Sequence, residues 1–204
     1  MYKRQIHNTI KQGQWGRYFH KVNNTSKLVR PHLLLGGEST SEVDVSNCQP
    51  LLMACLLRNA RMIASCSAGF FYEDLMEASP VPMTRDQMKV AVLTDVIAKA
   101  PKQGFEYWHG KPADVAFQKA FPRAYELNEE YRAKHGDLAM IRELQRLESD
   151  IIHNDVLPMA QQEGCPAVTI HDCVLTDQQS AECVKACLEL SFEERAGIPC
   201  SIRV

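Results

Sequence analysis

The sequence lacks any apolar run that approaches the roughly 20 residues of a membrane-spanning helix. Its first residues include several cations, but no apolar stretch follows them, so a secretory signal is not predicted. The formal net charge is only −2, which excludes the overall positive field that draws some proteins to nucleic acid. We therefore expect an intracellular, cytoplasmic protein without a membrane partner, in which any phosphate-rich ligand is held by a local basic patch.

Several catalytic and metal-binding motifs are also missing. The seven histidines include no HExxH pair, and neither a GxxxxGK(S/T) loop nor a GxGxxG loop is present. The eight cysteines lie mostly inside apolar runs and without CxxC pairs, which favours buried free thiols over disulfides. Cys183 and Cys187 are one helical turn apart and could chelate a metal, and Cys66 could act as a nucleophile, but packing is the more common role of each.

The composition is that of one soluble globular domain. The chain has 204 residues, of which 45% are hydrophobic and 24% are charged, and it shows no internal repeat or linker. We predict a single domain over residues 1–204. Residues 1–30 form a basic N-terminal arm without any acidic residue, either a solvated segment or a local nucleic-acid patch. Its cationic residues are Lys3, Arg4, Lys11, Arg17, Lys21, Lys27 and Arg30.

Residue patterns in the first half of the chain predict a strand followed by helices. Ser41 to Val45 alternate polar and apolar residues as a strand does, which places Asp44 near a strand end. One helix is predicted from Pro50, because proline suits a first helical turn. Two further helices follow, separated by the sequence SPVP. The second of them begins with Thr84 as N-cap and has Gln87 three residues later, the pattern of a capping box.

The pattern of residues 112–159 predicts two long helices. The first covers 112–134 and is interrupted at the aromatic-proline step before Pro122. The second extends from about 136 to 159, and its apolar residues form one stripe along the helix. Gln145 and Glu148 lie beside this stripe.

The last part of the sequence predicts a hairpin, a helix and a strand. The apolar runs at 167–170 and 173–175 resemble two strands joined by a short turn, which places Asp172 at the hairpin tip. A helix is predicted from Gln178 to about Ser191, and the alternating sequence IPCSIRV predicts a final strand. Strands separated by helices in this order predict an α+β fold.

Asp44 and Asp172 are the residues most suited to metal chemistry. Each lies at the edge of an apolar strand, where a carboxylate needs water or a charge partner. Phosphoryl transfer between nucleotides uses two such carboxylates, which hold Mg²⁺ ions through hard oxygen ligands. An aspartate at a strand end is, however, more commonly a turn or cap residue.

The order of three motifs resembles that of the family A DNA polymerases. The hexapeptide DVSNCQ, which begins at Asp44, resembles the first catalytic motif of the family, D-x-S-x-x-E. Arg85 and Lys89 resemble the arginine and lysine of the second motif, whose helix holds the incoming triphosphate. His171-Asp172 resembles the start of the third motif, the His-Asp-Glu of the palm hairpin. All three occur in the order of the family.

Weaker similarities to the same family lie between and around these motifs. Gly16-Arg17 resembles a Gly-Arg pair that contacts the primer, and Gln145, followed five residues later by DII, resembles the Q-x-x-x-x-D-I-I helix. The aromatic-proline step at Pro122 and the closing helix and strand also resemble family features. The resemblance therefore covers Gly16–Val204.

The resemblance implies a palm-like antiparallel sheet with a helical, fingers-like insertion at about residues 70–135. It also implies a template-dependent nucleotidyltransferase that adds nucleotides to a 3′ hydroxyl and uses two Mg²⁺ ions, for which Mn²⁺ can substitute. The implied metal-binding residues are Asp44, Val45 and Asp172, and the two aspartates are the implied catalytic residues. The implied nucleotide-binding residues are Arg85, Lys89 and Gln49. The residues implied to contact the primer and template are Arg17, Gln145 and His171.

Four residues depart from the family pattern. Gln49 replaces a glutamate that excludes the ribose 2′ hydroxyl, and Ile97 and Ala98 replace a tyrosine and a glycine. Cys173 replaces the last acid of the third motif, so this motif also resembles the His-Asp-Ser of single-subunit phage RNA polymerases. A small RNA polymerase or primase, or an inactive polymerase-derived adaptor that binds nucleic acid, are therefore alternative predictions.

No part of the sequence resembles the long helical thumb or the exonuclease of the family. We therefore expect a partner subunit or a homo-oligomer to replace the thumb. The small size indicates a phage or a mobile element as a source of such a chain.

Overall fold

The computed structural model describes residues 11–13, 17–26, 28–99, 110–197 and 200–204. Some sequence predictions fall on residues outside these ranges: Gly16, the basic-arm residues Lys3, Arg4 and Lys27, and the first two residues of IPCSIRV. Among the described residues, no helix is long and apolar enough to cross a membrane.

The chain divides into two compact units. The first comprises Met1–Ser46 and Gln145–Val204, and the second comprises Asn47–Leu144. In sequence, the second unit is an insertion between the two parts of the first. Strands and helices occur together in the chain and the strand pairs are antiparallel, which confirms the predicted α+β class.

The strands lie in the first unit. They are β1 (Lys11–Gln12), β2 (Tyr18–Phe19), β3 (Leu34–Leu35), β4 (Glu38–Val45), β5 (Ala167–Ile170), β6 (Cys173–Asp177) and β7 (Ile202–Arg203). Strands β1 and β2 pair with each other, and the other five form one antiparallel sheet. The order in this sheet is β3-β4-β6-β5, and β7 pairs with β4. The strand predicted around Asp44, the hairpin and the final strand are therefore confirmed.

Helices make up most of the second unit, and the first unit contains helices that pack against its sheet. They are α1 (Cys48–Leu56), α2 (Ala60–Ser67), α3 (Phe71–Ala78), α4 (Arg85–Ala91), α5 (Pro112–Ala120), α6 (Pro122–His135), α7 (Ala139–Asp150), α8 (Leu157–Gln162) and α9 (Ala181–Ala196). Two of the helices continue into wider π-helical segments, Val92–Ala98 after α4 and Ile151–Val156 after α7. In the first unit, α9 packs against β4, β6 and the second π-helical segment.

Buried and less buried side chains alternate in the last four residues of β4, which shows which face of the strand packs against a helix. Val43 and Val45 are buried, as expected for the face that packs against helix α9. Glu42 and Asp44 therefore point to the opposite face. On that face Asp44 is directly opposite Cys173 of β6. The strand thus carries a carboxylate on one face while it buries apolar side chains on the other.

The second unit has an aromatic and methionine-rich core. Phe71 and Phe121 stack with ring centroids 5.5 Å apart. The largest fully buried apolar side chains of this unit are Phe71, Phe117, Phe121, Leu51, Met53, Met62, Leu75, Met88, Ile97 and Met140. Most of these lie at helical spacing along the sequence, so burial in this core is what stabilises the short helices.

One predicted helix is broken. The single helix predicted from Pro50 is wrong, because α1 ends at Leu56 and α2 begins only at Ala60. Arg58 between them adopts a left-handed conformation with φ of 51°, which ends the first helix. Asn59 then caps α2, since its side chain accepts a hydrogen bond of 2.9 Å from the backbone of Met62.

Other helix predictions are confirmed. Thr84 and Gln87 form the predicted capping box at the start of α4. The predicted interruption before Pro122 separates α5 from α6. The long helix predicted to 159 corresponds to α7, the π-helical segment and α8, which follow one another without a break to Gln162.

Candidate active site

In the first unit, Asp44 lies on a strand and Asp172 lies in the turn before the neighbouring strand. Asp44 is the seventh residue of β4, and Asp172 is in the turn that joins β5 to β6, the partner strand of β4. The backbone N–H of Val45 donates to the carbonyl of Asp172 at 3.5 Å, the long end of the hydrogen-bond range. The long-range pairing of β4 with β6 thus brings together two aspartates that are 128 positions apart in sequence.

The turn of the hairpin consists of His171 and Asp172 alone. His171 has φ of 58°, as a two-residue hairpin turn requires at its first position. Both turn residues are half-buried. The hairpin therefore holds Asp172 at the strand end by a short and specific turn.

Cys173 lies among the carboxylates of this site. Burial raises the pKa of its thiol above the ordinary range, and the negative charges of Asp44, Glu42 and Asp172 raise this pKa further. A thiol that stays protonated adds no negative charge to the site.

The donor chemistry of the site suits a hard divalent cation. Asp44 and Asp172 offer carboxylate oxygens, and Val45 can offer only its backbone carbonyl, a set of oxygen ligands that Mg²⁺ accepts when water completes the shell. Within the described ranges, no three His, Cys, Asp or Glu side chains form a group that could hold a metal ion. A metal at this site would therefore depend on the two aspartates and not on a larger acidic cluster.

The last strand adds a cation to the surroundings of Asp44. Strand β7 pairs with the free side of β4 and places Arg203 directly opposite Asp44. The Nε of Arg203 donates to the hydroxyl of Ser46 at 2.9 Å. Residues directly opposite in neighbouring strands project from the same face of a sheet. The sequence indicated the strand but gave no sign of this register.

Arg17 is held by a carboxylate that the sequence did not single out as a partner. Its guanidinium donates three hydrogen bonds to Glu148 of α7, at 3.1, 2.7 and 3.0 Å. Gln145 is half-buried and lies three residues before Glu148, so it is on the same side of that helix. Arg17, Gln145 and His171, the three predicted nucleic-acid contacts, all lie in the first unit.

Two of these residues, Arg17 and His171, line a small cleft. Its lining residues are Arg17, Tyr18, Glu148, Ser149, His153 and His171. Tyr18 and His153 have ring centroids 4.2 Å apart. Burial lowers the pKa of His171, the positive charge of Arg17 lowers it further, and the carboxylate of Asp172 opposes this shift. The neutral imidazole is thereby favoured next to Asp172.

Burial also lowers the pKa of His20 and of His153. Below pH 6.5 the unfolded chain therefore binds protons that the folded chain does not, so stability falls as the pH falls. We expect the free energy of unfolding from urea titration to decrease between pH 7.5 and 5.5, by at most about 1.4 kcal/mol per pH unit for each group. The variant His20→Gln should show a smaller decrease, because glutamine does not titrate in this range. Its amide can still donate to the carbonyl of Thr169, 2.7 Å from His20 Nε2, so the local contact is kept.

The matched control for this prediction is His32→Gln, which replaces an exposed histidine of the same unit. His32→Gln should leave the difference between the free energies of unfolding at pH 7.5 and 5.5 as it is in the wild type. A His20→Gln variant with the same pH dependence as the wild type would contradict the assignment of a lowered pKa to His20.

In the second unit, Arg85 and Lys89 lie one turn apart on α4. The Nε of Arg85 donates to Glu73 at 2.9 Å, and its guanidinium lies 5.1 Å from the ring centroid of Tyr72. Lys89 is exposed. The capping box at Thr84 fixes the start of this helix, so Arg85 lies in a defined first turn and Lys89 follows it in the last turn.

The remaining predicted site residue, Gln49, is also in the second unit. It is the second residue of α1 and is half-buried. Ile97, at the position where the resemblance implies a tyrosine, is completely buried in the π-helical segment. Of the predicted site residues, Arg85, Lys89 and Gln49 thus belong to the second unit, and the others belong to the first.

A buried lysine anchors the helical segment that carries Arg85 and Lys89. Lys99 follows the π-helical segment and is 0% exposed. Its ammonium lies 2.9 Å from Asp114 of α5 and 2.8 Å from Glu129 of α6. A charge at this depth is stable only with such partners. No sequence motif indicates this network, because its members are far apart in the chain.

Among solved structures, the chain is similar to the POL domain of Pol1 from M. smegmatis, determined in complex with DNA primer-template and dNTP. The TM-score is 0.65 and the sequence identity is 16%, over 97% of this chain and 46% of the other. The chain therefore spans about half the length of that protein. No protein-family model and no curated protein matches the sequence. The likeness shows the fold, and it confirms the predicted palm-like sheet with a helical insertion.

Proposed function

We propose that the protein is a template-dependent nucleotidyltransferase that adds nucleotides to the 3′ hydroxyl of a primer. The observation that carries this proposal is the placement of Asp44 on β4 and of Asp172 in the turn before its partner strand β6, in a polymerase-like fold with a backbone hydrogen bond between Val45 and Asp172. Two bound Mg²⁺ ions, or Mn²⁺ in their place, would activate the 3′ hydroxyl and stabilise the leaving pyrophosphate. Asp44, Asp172 and the carbonyl of Val45 would hold these ions.

The other predicted site residues would bind and orient the substrates. Arg85 and Lys89 would bind the triphosphate, because cations one turn apart on a helix can grip phosphate oxygens together. Gln49 would lie near the sugar of the incoming nucleotide. The residues that would contact primer and template are Arg17, Gln145 and His171. The polymerase to which the fold is similar was determined with DNA primer-template and dNTP, which supports substrates of this class.

A primer-extension assay tests the proposal. Wild-type protein is incubated with a labelled primer-template, Mg²⁺ or Mn²⁺, and either deoxynucleotides or ribonucleotides. We expect the primer to be extended according to the template. Extension with ribonucleotides would identify an RNA polymerase or primase, the substrate choice that Gln49 leaves open. Absence of extension with either metal and either sugar would contradict the proposal.

The variants Arg85→Ala and Lys89→Ala should each raise the KM for the incoming triphosphate by about 10- to 100-fold. A charged hydrogen bond contributes roughly 1.5 to 3 kcal/mol, and this range corresponds to such a change. The matched control is Arg123→Ala, which removes an exposed arginine of the same unit that is 2.9 Å from Glu126. A KM that rises equally in all three variants would contradict the role of Arg85 and Lys89.

A second candidate function is an inactive module that binds nucleic acid as an adaptor. One observation favours it: Cys173, which is buried, occupies the position of the last acid of the implied third motif. An adaptor would bind the primer-template without extending it, so binding measured by fluorescence anisotropy separates the two functions in the same samples.

A further inference from the structure

The ion pair between Arg17 and Glu148 joins two parts of the first unit that are 131 residues apart in sequence. The side chain of Glu148 is 1% exposed, whereas that of Arg17 is 22% exposed. The acid is thus a buried anchor, and the arginine extends from it toward the surface. Such bidentate pairs fix the plane of the guanidinium as well as its position.

The three hydrogen bonds use only one edge of the guanidinium. They are donated by Nε and by one terminal nitrogen, Nη2. No hydrogen bond joins the other terminal nitrogen, Nη1, to another residue among those the structure describes. Arg17 therefore presents two N–H donors from a fixed plane, in the manner of an arginine that is prepared for an acceptor on a ligand.

The neighbours of Arg17 place its guanidinium near the candidate active site. Arg17 and Glu148 line the same small cleft as His171, the residue before Asp172. The paired strands and the hairpin turn thus bring the guanidinium and the catalytic candidate Asp172 into one region of the first unit.

Burial of the Glu148 carboxylate has a high desolvation free energy. Burial of two charges costs more in desolvation than a well-packed apolar pair would, so the pair is weak evidence for a purely stabilising role. What the pair does supply is orientation, because each of its three hydrogen bonds restricts the guanidinium. Orientation matters most where an arginine must meet a ligand acceptor at a defined position.

We propose that Glu148 is a positioning residue that holds Arg17 in the orientation needed to bind the primer end. This inference rests on the proposed function, because it assumes that the ligand next to Asp172 is a primer-template. It adds a residue that no motif of the sequence identified. Glu148 itself contacts Arg17 and not the primer.

The test measures primer binding and turnover separately in the full chain. In Glu148→Gln, the neutral amide keeps the size of the side chain but loses the charged bidentate pair. We expect the Kd for a primer-template, measured by fluorescence anisotropy, and the KM for the primer to rise about tenfold. The kcat should stay within about twofold, because the metal-binding aspartates are unchanged. Asp155→Asn is the matched control, since it breaks the bidentate pair of Asp155 with Arg195 in the same unit.

A double-mutant cycle separates positioning from stability. If Glu148 acts through Arg17, the substitution Glu148→Gln should have no further effect on primer Kd in an Arg17→Gln background. The positioning role would be overturned if the effects of the two substitutions on primer Kd were additive, or if Asp155→Asn weakened primer binding equally. It would also be overturned if Glu148→Gln lowered the urea midpoint and left the primer Kd unchanged. Wild-type protein that binds no primer would overturn both proposals. Extension by the wild type with an unaltered Glu148→Gln variant would overturn only this one.

Discussion

Replacement of Asp172 by asparagine is expected to lower nucleotide incorporation by roughly 1,000-fold or more. A metal ion that stabilises the charge of the transition state contributes several kcal/mol, and about 4 kcal/mol corresponds to that factor. Asparagine keeps the size of the side chain and its place in the two-residue turn, so the hairpin should form as before. The measurement is single-nucleotide extension of a labelled primer with Mg²⁺, at saturating primer and nucleotide.

Two further variants show whether the effect of Asp172→Asn is specific to the metal-binding aspartates. Asp44→Asn should cause a comparable loss, and the double variant should lose little more than either single one, because residues that act as a unit are not additive. Asp155→Asn, a carboxylate of the same unit that pairs with Arg195, should retain activity. Incorporation that survives Asp172→Asn would refute the assignment of Asp172 as a metal ligand.

The variant Lys99→Met should destabilise the second unit by about 3 to 5 kcal/mol, the usual cost of leaving buried charges without their partner. Asp114 is buried and would lose the ammonium 2.9 Å away. Glu129 would lose one of its two cations but would keep Arg132, 2.9 Å away. The measurement is the free energy of unfolding from urea titration, followed by circular dichroism.

A compensating change distinguishes loss of charge balance from loss of packing. Adding Asp114→Asn to Lys99→Met should recover a large part of the stability, since the remaining acid, Glu129, keeps Arg132. Lys185→Met removes the ion pair of Lys185 with the exposed Glu182, whose carboxylate is 3.7 Å away. This variant should change the free energy of unfolding by less than about 1 kcal/mol. Equal losses in Lys99→Met and Lys185→Met would contradict the anchoring role of Lys99.

The Lys99 network also bears on the proposed substrate site. Lys99 ends the segment that begins with α4, and its two acids lie on α5 and α6, so the network joins this segment to its neighbours. We expect partial loss of this anchor to affect nucleotide binding through the position of Arg85 and Lys89. The network is therefore part of the framework of the site, although no member of it is predicted to touch a substrate.

Local signals in the sequence predicted the short-range structure well. The capping box at Thr84 and the break before Pro122 depend on residues within one or two turns of each other, and both are confirmed. The hairpin with Asp172 at its tip depends on two apolar runs separated by two residues. In each case the physical cause lies within a few residues of the effect.

Long-range pairings could not be predicted in the same way. The pairing of β4 with β6, the ion pair of Arg17 with Glu148 and the contacts of Lys99 each join residues that are far apart in the chain. No local propensity specifies such partners, because they follow from how whole elements pack. The break at Arg58 was missed for a related reason, since an arginine gives no local sign of a left-handed conformation.

The central claim is that Asp44 and Asp172 together bind a divalent metal. The most direct measurement is the binding of Mn²⁺ followed by electron paramagnetic resonance, in wild-type protein and in the double variant Asp44→Asn/Asp172→Asn. We predict saturable binding in the wild type and a loss of at least tenfold in affinity in the variant, since removal of the two carboxylates leaves only carbonyl and water ligands. Equal binding of Mn²⁺ by both proteins would contradict the claim.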